Sequence, residues 1–219
     1  MVTFDPKPES QPESGRGNRR PEFLAAARHL FFERGYSGTT MDQVARQAGF
    51  SKRAVYIYFK NKDELFLMVG EEGLVMLRDK LEQVDIESLS VEESLAAILD
   101  IYLSFAREHP RYFKIIFKEA SSDMIGNIPE DLRQRLEEHE RACLGVVVTV
   151  AEKAIKQKMI SGLDAWEVAA SFWGAVTGII LLSMGGSQTV FTQRTREDLV
   201  TKAAWLLYAG LKAGTSERN

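Results

Sequence analysis

An all-α fold is what these 219 residues predict, on three observations. Apolar side chains recur at three- and four-residue spacing from Pro21 nearly to the end, the period of a helix with one buried face. No apolar/polar alternation bounded by turn residues marks a half-buried strand. Helix ends carry their usual chemistry. Thr40-x-x-Gln43 and Asn61-x-x-Glu64 have capping-box form, and Ser51 is placed as an N-cap. Gly35 and Gly162 stand where helices should stop, and Pro110 interrupts the chain after His109.

The first 18 residues hold Pro6, Pro8, Pro12, Gly15 and Gly17 among polar neighbours, too little to bury, and read as a disordered tail. Nine helices are expected after it, near 21–34, 40–48, 52–59, 62–84, 91–108, 111–121, 129–160, 164–184 and 196–213. One cysteine, Cys143, excludes an internal disulfide, and the N-terminus lacks the apolar core of a secretory signal, so the expected location is cytoplasmic. The net charge of -3 hides an asymmetry: residues 1–62 hold 11 Lys and Arg against 6 Asp and Glu, the remainder 17 against 25. One end is built to meet a polyanion.

The stretch "GFSKRAVYIYFKNKDEL" from 49 to 65 sharpens this. On a helix over 52–59, Ala54, Val55, Tyr58 and Phe59 share one side, while Lys52, Arg53, Tyr56 and Ile57 share the other. The helix before it offers Val44, Ala45 and Ala48 as a packing face, with Gly49-Phe50 as a tight turn between. A small alanine at the crossing, a glycine four residues on and an apolar residue six later is helix-turn-helix spacing. A plain helical hairpin with a solvated face would not call for tyrosines among the basic residues, whereas a phosphate-and-base surface uses both.

These residues resemble a known family. "TTMDQVARQAGFSKRAVYIYFKNKDEL", with the preceding "AAARHLFFERGYSGTT", is similar to the signature of the tetracycline-repressor (TetR/AcrR) transcription regulators, TT-xx-IA-xx-AGVSxGxLYxYFxxKxxL. The match covers 22–66, and Lys52-Arg53 and Ile57 depart from it at outward positions. The resemblance implies an N-terminal three-helix DNA-binding domain (19–66) and a helical effector-binding and dimerisation domain (67–219). It implies that Thr40 contacts phosphate, that Lys52, Arg53, Tyr56 and Ile57 enter the major groove of double-stranded operator DNA, and that Tyr58 and Lys62 reach the backbone. Lys62 beside free N–H groups at a helix start also suits an anion on physical grounds. Arg19 and Arg20 are candidates for a minor-groove arm, or for a solubilising tail.

In the body, residues 168–193 carry no charged side chain. Their Ser, Thr and Gly content and the Gly185-Gly186 ending argue against a membrane span. Ala170, Gly174, Thr177, Gly178 and Leu181 form a small-residue stripe, with Phe172, Val176, Ile179, Ile180 and Ser183 opposite. The family pairs its last two helices across a homodimer, so Leu199, Ala203, Leu206 and Gly210 join that stripe as interface candidates. Tyr102, Phe105, Tyr112, Phe117, His139, Cys143 and Trp173 are candidates for the pocket of an unidentified small hydrophobic or amphipathic effector, although for any one of them ordinary core packing is the stronger reading. No ligand-spaced His or Cys set argues for a metal or cofactor, and scattered His29, His109 and His139 with no nucleophile turn argue against an enzyme. A helical interaction protein without DNA binding, or an activator or ligand-blind regulator, stand as alternatives.

Overall fold

The computed structural model describes residues 18–184 and 196–216, and every regular element within them is helical. The tail before residue 18, and Gly185-Gly186 at the end of the small-residue stripe, lie outside the described residues. Among the described residues ten helices follow one another: α1 (Arg20–Arg34), α2 (Met41–Gln47), α3 (Lys52–Tyr58), α4 (Lys62–Leu81), α5 (Val91–Glu108), α6 (Pro110–Lys114), α7 (Ser122–Gly126), α8 (Glu130–Lys156), α9 (Ala165–Met184) and α10 (Arg196–Ser216). A π-helical turn, Ile115–Glu119, continues α6.

α1 starts with a proline in its first turn and buries Phe23, Ala26, Ala27, Leu30 and Phe31, one face at helical spacing. It ends at Gly35, whose φ of +68° suits a residue without Cβ. α2 opens with the full Thr40/Gln43 capping box, and α3 with Ser51 accepting from the Ala54 N–H. α4 crosses position 66–67, so the N-terminal and C-terminal units share one helix, which packs on α1 at one end and on α8 along its length. α5 carries a second capping box, Ser90/Glu93.

Most boundaries fall within one residue of expectation; the last helix runs on to Ser216, and three other ends also differ. The helix expected over 111–121 ends as the π turn, where the Ala120 N–H reaches back five residues to the Ile115 carbonyl, and α7 follows as a separate short helix. The eighth helix stops at Lys156, short of 160: Lys158 takes a left-handed φ of +59° and Met159 N–H bonds the Ala154 carbonyl, which closes the helix and buries Ile160 beneath it. The fourth stops at Leu81.

Candidate DNA-binding surface, effector cavity and dimer face

In the helix-turn-helix, Val44 and Ala45 of α2 and Val55 of α3 are wholly buried against one another's helices. Gly49 turns the chain at φ +80°, and the Phe50 N–H closes the turn on the Ala45 carbonyl at 2.9 Å. What α3 leaves outside is Lys52, Arg53, Tyr56 (47% exposed) and Ile57 (61% exposed). An exposed isoleucine beside a tyrosine and two basic groups is unusual for a solvated face and suits thymine methyls and base edges. Thr40 lies exposed at the α2 N-terminus, where its hydroxyl and N–H already engage Gln43. Lys52 pairs with Asp42 of α2 at 3.2 Å across the open face.

The structure alters the expected roles of several basic residues. Lys62 was expected to offer its ammonium to phosphate, but it donates to the Tyr36 and Thr39 carbonyls at 3.0 and 3.1 Å and lies 3.9 Å from the Tyr36 ring centroid. It ties the loop before α2 to the start of α4. Arg20 is not part of a free arm. It donates to the Tyr58 carbonyl at 3.1 Å and to Glu64 at 3.3 Å, with its guanidinium over the Phe59 ring. Arg19 pairs with Glu22. The buried Glu64 also departs from the capping box: its carboxylate accepts from the Lys60 N–H at 2.6 Å instead of the Asn61 N–H, while Asn61 still accepts from the Glu64 N–H. Tyr58 is half-buried, its ring 5.7 Å from Phe23. Tyr36 donates to Asp63, and burial, reinforced by that carboxylate, pushes its phenol up to about 12.

Of the candidate effector residues, Tyr102, Phe117 and Trp173 do meet, with Tyr102 4.5 Å from Trp173 and 5.8 Å from Phe117. They meet as packed core. Tyr102 is buried and shares a 2.7 Å hydrogen bond with Thr177, and Phe105 is wholly enclosed. Burial pushes the Cys143 thiol up to about 12, which leaves it unreactive. His139 faces Arg78 at 2.8 Å and Glu71 at 3.8 Å. Tyr112 donates to Glu72 at 2.8 Å, and Glu72 holds Arg28 of α1 at 2.9 Å. The open space lies elsewhere. A cavity of about 240 Å³ sits between α4, the π turn, α7 and α8, walled by Leu67, Leu74, Ile115, Ile116, Ile125 and Leu136. Gly70 also borders it, and a Cβ there would stand 3.1 Å from Ile115. The Leu67-x-x-Gly70-x-x-x-Leu74 spacing was the available signal, and it reads no differently from ordinary core.

α9 and α10 pack on each other and leave a groove of about 710 Å³ bordered by Leu163, Glu167, Ala170, Ser171, Leu206 and Gly210. Phe172, Val176 and Ile180 are buried, as the stripe implies, and Gly174, Gly178 and Gly210 face open space. Thr177 does not belong to the open side, because Tyr102 holds it against the core. Leu199, Ala203 and Leu181 are half-buried at the edge, and the outer face centres instead on Gly174, Gly178 and Leu182 (58% exposed), with Trp205 and Leu206 on α10 (65% and 63%). By length and composition α9 could cross a membrane; in the fold it packs on α8 and α10.

Two family models match: bacterial regulatory proteins of the tetR family over residues 23–69, and the tetracyclin repressor-like C-terminal domain over 95–204. The uncharacterised HTH-type transcriptional regulator YhgD of Bacillus subtilis is 31% identical over 147 residues, 67% of this chain and 74% of that one. The fatty acid metabolism regulator protein of Bacillus subtilis is 23% identical over 163 residues, 72% of this chain and 81% of that one. Among solved structures, a transcriptional regulator FadR from Bacillus subtilis in complex with stearoyl-CoA superposes with a TM-score of 0.67 at 21% identity, over 87% of this chain and 98% of that one. Helix-turn-helix geometry, a helical body and both halves of the family pattern in one chain agree: this protein belongs to the tetR family of bacterial transcriptional regulators.

Proposed function

We propose that this regulator is a cytoplasmic homodimeric repressor that releases its operator when a small, largely apolar molecule fills the cavity between α4, the π turn, α7 and α8. The exposed face of α3, with Lys52, Arg53, Tyr56 and Ile57, reads bases, and the α2 N-terminus at Thr40 meets phosphate. The outer face of α9 and α10 pairs with its copy, which sets two α3 helices on one side of the DNA.

The observation that carries the effector reading is a shared segment. Ile115, Ile116 and Ile125 wall the cavity, and the same stretch of chain holds the DNA-binding unit at two points. Tyr112 grips Glu72, which grips Arg28 of α1; Asn127 donates to Asp63 and accepts from the Asn61 side chain. A molecule that pushes the isoleucines apart moves both grips. Coupling between such sites is typically about 1–3 kcal/mol, enough to change operator affinity by one to two orders of magnitude.

The test is a binding titration with DNA from the gene's own upstream region at several salt concentrations. With Lys62 and Arg20 held internally, about three phosphates per subunit and six per dimer remain, so log K against log[salt] should slope near about -5. A slope shallower than about -2 would remove this surface as the DNA site.

A further inference from the structure

Asp42 is an acidic side chain on the surface that has to meet a polyanion. It stands in the first turn of α2 and is 45% exposed. Its Oδ1 lies 3.2 Å from Nζ of Lys52 in the first turn of α3, and this is its one ion pair among the described residues. Arg53, next in the chain, has neither an ion pair nor a hydrogen bond with any described residue. An ion pair this exposed adds little to stability, and a carboxylate here repels phosphate. Wherever the Lys52 ammonium meets a base edge, however, the Asp42 carboxylate arrives with it, one hydrogen-bond length away. The two heads set a donor beside an acceptor. A base pair presents the complement in the major groove, because its exocyclic oxygen and amino group are themselves held at hydrogen-bond distance, roughly 2.9 Å.

We propose that Asp42 and Lys52 read one guanine–cytosine pair in each half-site as a unit, with Lys52 donating to guanine O6 and N7 and Asp42 accepting from the cytosine amino group. The other three arrangements fit worse. Reversing the pair sets the ammonium against the amino group and the carboxylate against O6, so both contacts repel. Thymine under Lys52 offers a single acceptor, O4, beside a methyl group, in place of the two acceptors of guanine. Adenine under Lys52 puts thymine O4 against the carboxylate. Away from its site the same carboxylate weakens the hold of Lys52 on phosphate, which lowers binding to unrelated DNA. The proposal rests on the exposed α3 face being the base-reading surface, and it adds a residue of α2 to that surface.

The experiment selects binding sites from random duplexes with the full-length protein, then measures affinity for every single-base-pair variant of the selected site. One position per half-site should favour guanine–cytosine over each other pair by about tenfold or more. Asp42→Ala and Lys52→Ala should each cut the preference at that same position to about threefold or less, while Arg53→Ala alters a different one. The exchanged variant, Asp42→Lys with Lys52→Asp, should invert the preference there to cytosine–guanine, which a merely structural ion pair would not do. Circular dichroism should show every variant folded, since all three side chains are exposed or half-exposed. An Asp42→Ala protein that keeps every base preference and binds all duplexes more tightly makes Asp42 a barrier to phosphate only, and overturns the assignment. An exchanged variant that still prefers guanine–cytosine overturns it as well, while the base-reading surface stands. If the native chain selects no site at all, that surface falls and the pair with it.

Discussion

Asn127, at the C-terminal end of α7, donates from its side-chain amide to the Asp63 carboxylate at 2.6 Å, joining positions 64 residues apart. Its carbonyl accepts from the Asn61 side chain at 2.9 Å, and Asp63 also accepts from Tyr36. The end of a five-residue helix in the body thus holds the junction between α3 and α4, two residues beyond the cavity wall at Ile125. Asn127→Ala keeps the carbonyl contact and removes the carboxylate contact. It should cost roughly 1 kcal/mol of stability and weaken operator binding severalfold, although Asn127 lies in the body. Denaturant unfolding and DNA anisotropy measure the two effects; an unchanged operator affinity would leave this bridge without a part in coupling.

Lys62→Ala should behave as a structural lesion as well as a binding one. It deletes two charge-assisted hydrogen bonds and a ring contact, about 1–3 kcal/mol together. Tyr56→Ala, on the exposed face, should leave stability within about 0.5 kcal/mol while weakening operator binding. If thermal unfolding ranks them the other way, the loop before α2 does not depend on Lys62.

A Cβ added at Gly174 meets nothing within 4 Å in its own subunit, so the monomer should stay folded with leucine there. The same side chain in a close helix–helix interface overpacks it by about 1–3 kcal/mol, once for each copy of the contact. Leu182→Glu should act likewise by burying a charge at the partner. Sedimentation should show monomers with unchanged helix content, and operator binding should fall with the dimer. Intact dimers for both variants would move the interface off this face.

The raised phenol of Tyr36 sets an alkaline limit. Its folded-state value of about 12 exceeds the ordinary 10, so the stability it contributes is complete below about pH 10 and is lost as pH rises toward 12. Tyr112, also pushed up to about 12, acts in the same direction. Unfolding curves between pH 9 and 12 should show a steeper decline for the native chain than for Tyr36→Phe. Equal slopes would mean that the Tyr36 phenol titrates alike folded and unfolded.

What the chain revealed in advance was what short spans determine. Ala45, Gly49, Ser51 and Val55 lie within a single supersecondary unit, so spacing alone located the turn and the two faces of α3. Lys62 and Arg20 were legible as basic residues near a helix start, but their partners lie 23 to 48 positions away, and only the fold shows that two carbonyls hold Lys62 while the Tyr58 carbonyl, the Glu64 carboxylate and the Met68 sulfur hold Arg20. Thr177 failed for a related reason. A helical projection assigns angles, and a residue at the border between faces goes to whichever neighbour reaches it; here Tyr102 does, from 75 positions upstream. The cavity was invisible because Gly70, Ala120 and the π turn open it by omission, and aliphatic walls carry the same letters as a filled core.

The division of α3 into two faces has an evolutionary consequence. Val55 anchors the helix from one side while Lys52, Arg53, Tyr56 and Ile57 stand on the other, so substitutions at the outer four leave the packing of the domain untouched. Duplicated copies of such a gene can drift to new target sites through surface changes that are nearly neutral for folding. Selection then acts on each outward position almost independently, with Lys52 the exception, since its pairing with Asp42 links any change there to α2.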